Sequence, residues 1–228
     1  MASPPATPSP LGDAEPHKRA AAEAAAALVP DGARVGLGTG STVAYLLPAL
    51  AARELTLRCA ATSRATEHAA RALGLDVFDL DELGGIDIAI DGADQIDPDG
   101  WLIKGGGAAH TREKIVAAAA TRFVVIASAE KAVPALAAPV PLEIMRFGVQ
   151  TTLRALAPAT LRDVPPSPDG NLIADYLGPI DDPGLLAARL SATPGMVDHG
   201  LFPPELVSDI LIAGERGVEH RLGTKPAA

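Results

Sequence analysis

"ARVGLGTGSTVAYLLPALAARE", residues 33–54, runs from an apolar segment through glycines into a helical pattern. "ARVGLG" reads as a short buried strand. "STVAYLLPALAARE" reads as a helix that Pro48 is expected to kink or break. A strand entering a helix through glycines is the first half of a βαβ unit, and the alternation continues along the chain. Strand patterns stand at "LTLRCAAT" (55–62), "LDVFDL" (75–80), "IDIAI" (86–90) and "RFVVIAS" (122–128). Helix patterns stand at the Ala-rich "HKRAAAEAAAALV" (17–29), at "SRATEHAARALG" (63–74), closed by Gly74, and at "TREKIVAAAAT" (111–121). Several strands are apolar throughout, as in a parallel sheet covered on both faces. The expected fold is α/β: an open, mostly parallel, Rossmann-like sheet with helices on both faces, plus a smaller α+β domain.

The character changes near "APVPLEIM" (138–145), where prolines thicken and elements shorten. Residues 139–203 are expected to form the small α+β domain. "SDILIAG" (208–214) is a late apolar strand that returns to the first sheet, so the larger catalytic domain comprises 16–138 and 204–228. The Pro-, Ala- and Ser-rich residues 1–15 lack the basic and apolar regions of a signal peptide and are expected to be a disordered leader.

The chain has 228 residues and a formal charge of −9, which argues against a nucleic-acid partner. No apolar run of about 18 residues predicts a membrane span. Cys59 is the sole cysteine, which fits a reducing cytoplasm. Its place in a strand pattern reads as packing. The five histidines, 17, 68, 110, 199 and 220, make no metal-ligand spacing. His68 and His220 are expected to be exposed and His110 to line a pocket.

Glycines and acids gather in three places. "GLGTGST" (36–42) lacks the Walker A ending, and Thr42 stands where a dinucleotide fingerprint has its third glycine. It suits a phosphate or carboxylate at a helix start, or else is a plain turn capped by Ser41. "DGAD" (91–94) follows an apolar strand, where open α/β sheets bind ligands. Asp91 and Asp94 are therefore acid/base candidates, whereas "DPDG" (97–100) has the signature of a type I turn. "KGGGAAHTREK" (104–114) brings Lys104, its ammonium expected to face the glycines, close to Glu113 in the first turn of the next helix. Three glycines can present N–H groups to an oxyanion. On its own, Glu113 is equally a helix-dipole partner.

Together, "GLGTGST", "DGADQID" (91–97), "LIKGGGAAHTREK" (102–114) and "SAEK" (128–131) resemble, in order and spacing, the A-type family of ribose-5-phosphate isomerases. "GMVDHGLF" (195–202) and "LIAG" (211–214) are similar to that family's C-terminal region. The resemblance implies metal- and cofactor-free interconversion of ribose 5-phosphate and ribulose 5-phosphate by a cytoplasmic homodimer or homotetramer. It makes Glu113 the base. It places Thr39, Gly40, Ser41, Thr42, Asp91, Gly92, Ala93, Asp94, Lys104, Gly105, Gly106, Gly107 and Lys131 around the substrate, with Lys18 as a further phosphate contact. The sequence departs from the family at Gln95, where Glu is common, and matches only loosely over 142–156 and 203–209. Two other functions compete: a non-catalytic sugar-phosphate sensor, and an acyl or CoA transferase with Glu113 as nucleophile.

Overall fold

The computed structural model describes residues 14–225. In chain order the first elements are α1 Ala14–Ala27, β1 Arg34–Leu37, α2 Val43–Ala51, β2 Arg58–Ala61, α3 Arg64–Ala72, β3 Asp76–Val77 and α4 Leu80–Leu83. Then come β4 Ile86–Gly92, β5 Gln95–Ile96, β6 Leu102–Ile103, α5 His110–Ala119, β7 Ala120–Ser128 and β8 Val140–Ile144. The last are α6 Val149–Ala155, β9 Ala159–Leu161, β10 Leu172–Tyr176, α7 Pro183–Ser191, β11 Met196–His199, β12 Leu201–Phe202, β13 Asp209–Gly214 and β14 Gly217–Leu222.

The main sheet has the order β14-β13-β7-β4-β1-β2-β3. Every neighbouring pair is parallel except β13 with β14. From β1 the chain builds outward through β2 and β3, then returns to β4 on the other side of β1. That reversal opens a crevice beyond the carboxyl ends of β1 and β4, where open α/β sheets take their ligands.

The sheet is covered on both faces, as the apolar strands require. Successive side chains of β7 alternate: Val124 and Ile126 pack with α1 and α2, while Phe123, Val125 and Ala127 pack with α5. The same period governs β4. Ile88 and Ile90 face α1 and α2, and Ala89 faces α5. Asp91, two residues beyond Ala89, therefore points to the α5 side. Small residues let that helix approach closely: a Cβ on Gly36 would fall 2.4 Å from Val116 Cγ1.

A four-stranded sheet, β11-β8-β10-β9, lies within 140–199, and a three-stranded one, β12-β6-β5, ties Leu201–Phe202 to Leu102–Ile103. "SDILIAG" does return to the main sheet, with β13 pairing in parallel to β7. Gly100 N donates to Asp97 O (3.2 Å), closing the turn at "DPDG".

Three local expectations are corrected. Ala14 and Glu15, assigned to the leader, form the start of α1; the rest of the leader, 1–13, lies outside the described residues. Helix α2 is not broken at Pro48, because Leu46, Leu47 and Leu50 are buried and their packing outweighs one missing donor. "LDVFDL" contributes only Asp76–Val77 to the sheet edge, since α4 begins at Leu80 and Glu82 reaches back to the Asp79 N–H (3.4 Å).

Candidate active site

The crevice holds a cavity of about 880 Å³. Its walls include Thr39–Thr42 after β1, Gly92–Asp94 at the end of β4, Lys104–Gly107 after β6 and Glu113 on α5. Lys18 of α1 and Lys131, which follows β7, complete one end. Sequence reasoning missed His17, Glu130, Gly214 and Glu215, which also line it. Glu130 had a local signal as the neighbour of Lys131 in "SAEK", and Gly214 as the end of "LIAG".

The β1 turn is shaped by its neighbour. Gly38 N donates to Ile90 O (3.0 Å), and a Cβ on Gly38 would sit 2.0 Å from Asp91 Cγ, so only glycine fits. Thr39 N then donates to Asp91 Oδ1 (3.1 Å). Helix α2 starts after Thr42, whose side chain makes no capping hydrogen bond, so Ser41 is not the cap. The helix start therefore offers its amide end to the cavity, an arrangement suited to an anion.

Lys104 is the hub of the site. Its N–H donates to Gly200 O (2.9 Å), fixing the chain. Its ammonium does not face the glycines, as the sequence suggested; it turns to carboxylates brought by β4 and α5. Nζ lies 2.9 Å from Asp91 Oδ2 and 3.0 Å from Glu113 Oε2, and donates to Gly92 O (2.6 Å). All three side chains are under 5% exposed. Asp91 sits behind the cavity wall, whereas Glu113 and Asp94 reach the cavity. Asp94 accepts a hydrogen bond from Gly106 N (2.8 Å).

Burial favours the neutral form of every member of this triad. Asp91 and Glu113 outweigh burial at Lys104 and hold its pKa above the usual lysine range. Burial, then the charge of Asp91, pushes the Glu113 carboxyl up to about 8. Burial also raises Asp91, against Lys104 and the N–H groups of Gly92 and Thr39. Those N–H donors favour the ionised form of Asp91, while Glu113, paired with Lys104, is the carboxyl of the two that meets the cavity.

Helix α5 is pinned by the four-stranded sheet. Thr111 Oγ1 donates to Glu143 Oε2 (2.5 Å), Arg112 pairs with Asp169 (2.6 Å), and Lys114 Nζ reaches Asp198 (2.5 Å) and His199 O (2.5 Å). These contacts set the direction of Glu113. His110 does not line the cavity: it is fully buried behind Gly105, and burial pushes its imidazole down to about 3. His68 and His220 are exposed, although His220 Nε2 meets Asp209 Oδ1 at 2.7 Å. Cys59 is buried in β2, and burial pushes its thiol up to about 12. Among the described residues, no group of three or more His, Cys, Asp or Glu side chains could hold a metal ion, and no helix is long and apolar enough to cross a membrane.

The family model of ribose 5-phosphate isomerase A (phosphoriboisomerase A) matches residues 58–217. The chain belongs to the ribose-5-phosphate isomerase A family. A ribose-5-phosphate isomerase A of Caulobacter vibrioides (strain NA1000 / CB15N) is 48% identical over 221 residues, covering 90% of this chain and 97% of its own. The solved ribose 5-phosphate isomerase A of Methanocaldococcus jannaschii superposes with a TM-score of 0.86 at 35% identity, covering 91% of this chain and 99% of that one. A D-ribose-5-phosphate isomerase solved in complex with phospho-erythronic acid reaches 0.87 at 32% identity, covering 92% and 99%. Against the family background, Gln95 has a physical reason. Its Nε2 donates to Ala137 O (2.8 Å) and its Oε1 accepts from Ala137 N (2.8 Å), a pair that a glutamate could not make.

Proposed function

We propose that this chain interconverts D-ribose 5-phosphate and D-ribulose 5-phosphate through an enediolate. The observation that carries the reading is the Asp91–Lys104–Glu113 triad, which presents one carboxyl of raised pKa to a cavity that has a helix start in its wall. Thr39–Thr42, Lys18 and Lys131 bind the phosphate. Glu113 takes the C2 proton of the open-chain aldose and returns it to C1, one carboxylate serving both carbons. Lys104 and the N–H groups of Gly105 and Gly107 face the oxygen on which charge develops; one such donor is worth about 2.7–4 kcal/mol of barrier. Asp94 moves the proton between the two oxygens and opens the sugar ring. Asp91 holds Lys104 in place from behind, and Gly92 and Ala93 form the floor.

The test is conversion of ribose 5-phosphate in the presence of chelator, followed from pH 5.5 to 9. Glu113 must be ionised to act as base, so kcat/KM rises with pH and levels off above about 8. The substrate phosphate titrates near 6, roughly two units lower, so the two limbs are separable. A profile flat between pH 6 and 8 would take the base role from Glu113.

We also infer a cytoplasmic homodimer or homotetramer. Phe147, Leu185 and Leu177, all between 140 and 199, are 90%, 73% and 50% exposed and would be covered by a second copy. A monomeric mass in light scattering would refute this.

A further inference from the structure

The four-stranded sheet reaches into the site at the glycine loop. Arg162, immediately after β9, donates from Nη1 to Gly105 O (2.9 Å), a carbonyl 57 residues earlier in the chain. Its guanidinium is locked by a two-point pair with Asp175 on β10, at 2.7 and 2.6 Å. Both side chains are largely buried, at 17% and 15% exposure. Neither lines the cavity.

The accepted carbonyl belongs to the peptide that joins Gly105 to Gly106, and the N–H of that same peptide donates to Asp94 Oδ2 (2.8 Å). One rigid peptide plane is thus held from its oxygen by a cation and from its nitrogen by a carboxylate. Its two residues lack the stiffness that side chains would add: Gly105 sits at φ +110°. The oxygen's other donor, Ala108 N (3.1 Å), belongs to the same glycine loop, so without Arg162 the plane could rotate with the loop and carry Asp94 with it. Bulk on these glycines is barred, since a Cβ on Gly105 would fall 2.7 Å from His110 Nδ1 and one on Gly106 3.0 Å from Asp94 Oδ1.

We propose that Arg162, held by Asp175, is a positioning residue that fixes the Gly105–Gly106 peptide and through it the direction of Asp94. This rests on the isomerase reading of the site. A fork-shaped guanidinium is needed, because it must hold a carboxylate and a carbonyl at once, which a lysine does poorly. The small sheet then contributes to catalysis without touching substrate.

The test uses Arg162→Ala, Arg162→Lys, Asp175→Asn, Asp94→Asn and the double variant Arg162→Ala/Asp94→Asn, each checked for folding by its thermal midpoint. Misplacing one polar group by about 1 Å costs up to roughly 100-fold, so Arg162→Ala should lower kcat about 10- to 100-fold. KM and the affinity for inorganic phosphate should stay within about twofold, because the phosphate end is untouched. Affinity for phospho-erythronic acid, whose carboxylate resembles the two enediolate oxygens, should fall with kcat. Arg162→Lys should recover part of the loss, and Asp175→Asn should show a smaller loss of the same kind. If Arg162 acts through Asp94, the double variant should be no more than about threefold worse than Asp94→Asn alone. Losses that multiply in the double variant overturn the proposal. So does an active wild type whose Arg162→Ala and Asp175→Asn variants, folded, keep kcat within about twofold. If Arg162→Ala fails to fold, Arg162→Lys and Asp175→Asn decide by the same readouts. A wild type that binds phosphate but isomerises no ribose 5-phosphate overturns the reading beneath the proposal as well.

Discussion

Glu113→Gln should reduce kcat by about 10²- to 10⁴-fold while leaving the fold intact, because it removes the carboxyl that takes the carbon-bound proton and little else. The amide is nearly isosteric and can still meet Lys104, so KM should change far less than kcat. Stability supplies a second, independent readout. The folded pKa of Glu113 is raised from about 4.5 to about 8, so between those values the folded state holds a proton that the unfolded state has lost. Wild-type stability therefore falls relative to the glutamine variant as pH rises through that window, and the difference is constant above about 8. Denaturant midpoints of both proteins at pH 5 and pH 9 measure it. Turnover at the wild-type rate would remove Glu113 from its role. A difference that stays constant between pH 5 and pH 9 would show that Glu113 is an ordinary ionised partner of Lys104.

How much of this was legible in the sequence depends on the range of the interaction. The alternation of strands and helices came from periods of two and 3.6 residues, which are local, and so did the type I turn at Asp97–Gly100. The gathering of Asp91, Asp94, Lys104 and Glu113 was legible because about 25 residues of chain carry them all and short connections keep neighbours together. Side-chain direction was not. The glycines beside Lys104 suggested that its ammonium would face them, but glycines bring no charge. A buried ammonium goes where the anions are, and these arrive from β4 and from α5. The inward direction of Asp91 follows from its sharing a strand face with Ala89, once the sheet order says what covers that face. Pro48 misled because propensity is weaker than the burial of the leucines around it. Arg162 had no local signal at all: its partner carbonyl is 57 residues away, and only the packing of two sheets makes them meet.

Lys104→Met separates what the ammonium does for the fold from what it does for the reaction, and both effects should be large. Removing one partner of a buried ionic cluster leaves charge without compensation, which typically costs about 3–5 kcal/mol. Here two carboxylates would lose their shared cation, so the cost should sit near the upper part of that range at pH 9. It should shrink as the pH falls, because protonating the two carboxylates, both of raised pKa, removes the unpaired charge. Urea unfolding at pH 9 and pH 6 measures the difference. A deficit independent of pH would mean that the lysine contributes packing, through its stem against Phe202, whose ring lies 5.4 Å from Nζ, instead of charge. The chemical effect has its own signature. Losing a donor to the developing oxyanion should lower kcat by about 10²- to 10³-fold. The acid limb of kcat/KM should also move to higher pH, since Lys104 is the cation that lowers the Glu113 pKa against burial and Asp91. Lys104→Arg tests whether charge alone suffices. Its larger fork cannot occupy the space between Asp91, Glu113 and Gly92 O without displacing one of them, so it should keep more stability than the methionine variant yet recover little kcat. An arginine variant with full activity would reduce the role of Lys104 to that of a general positive charge.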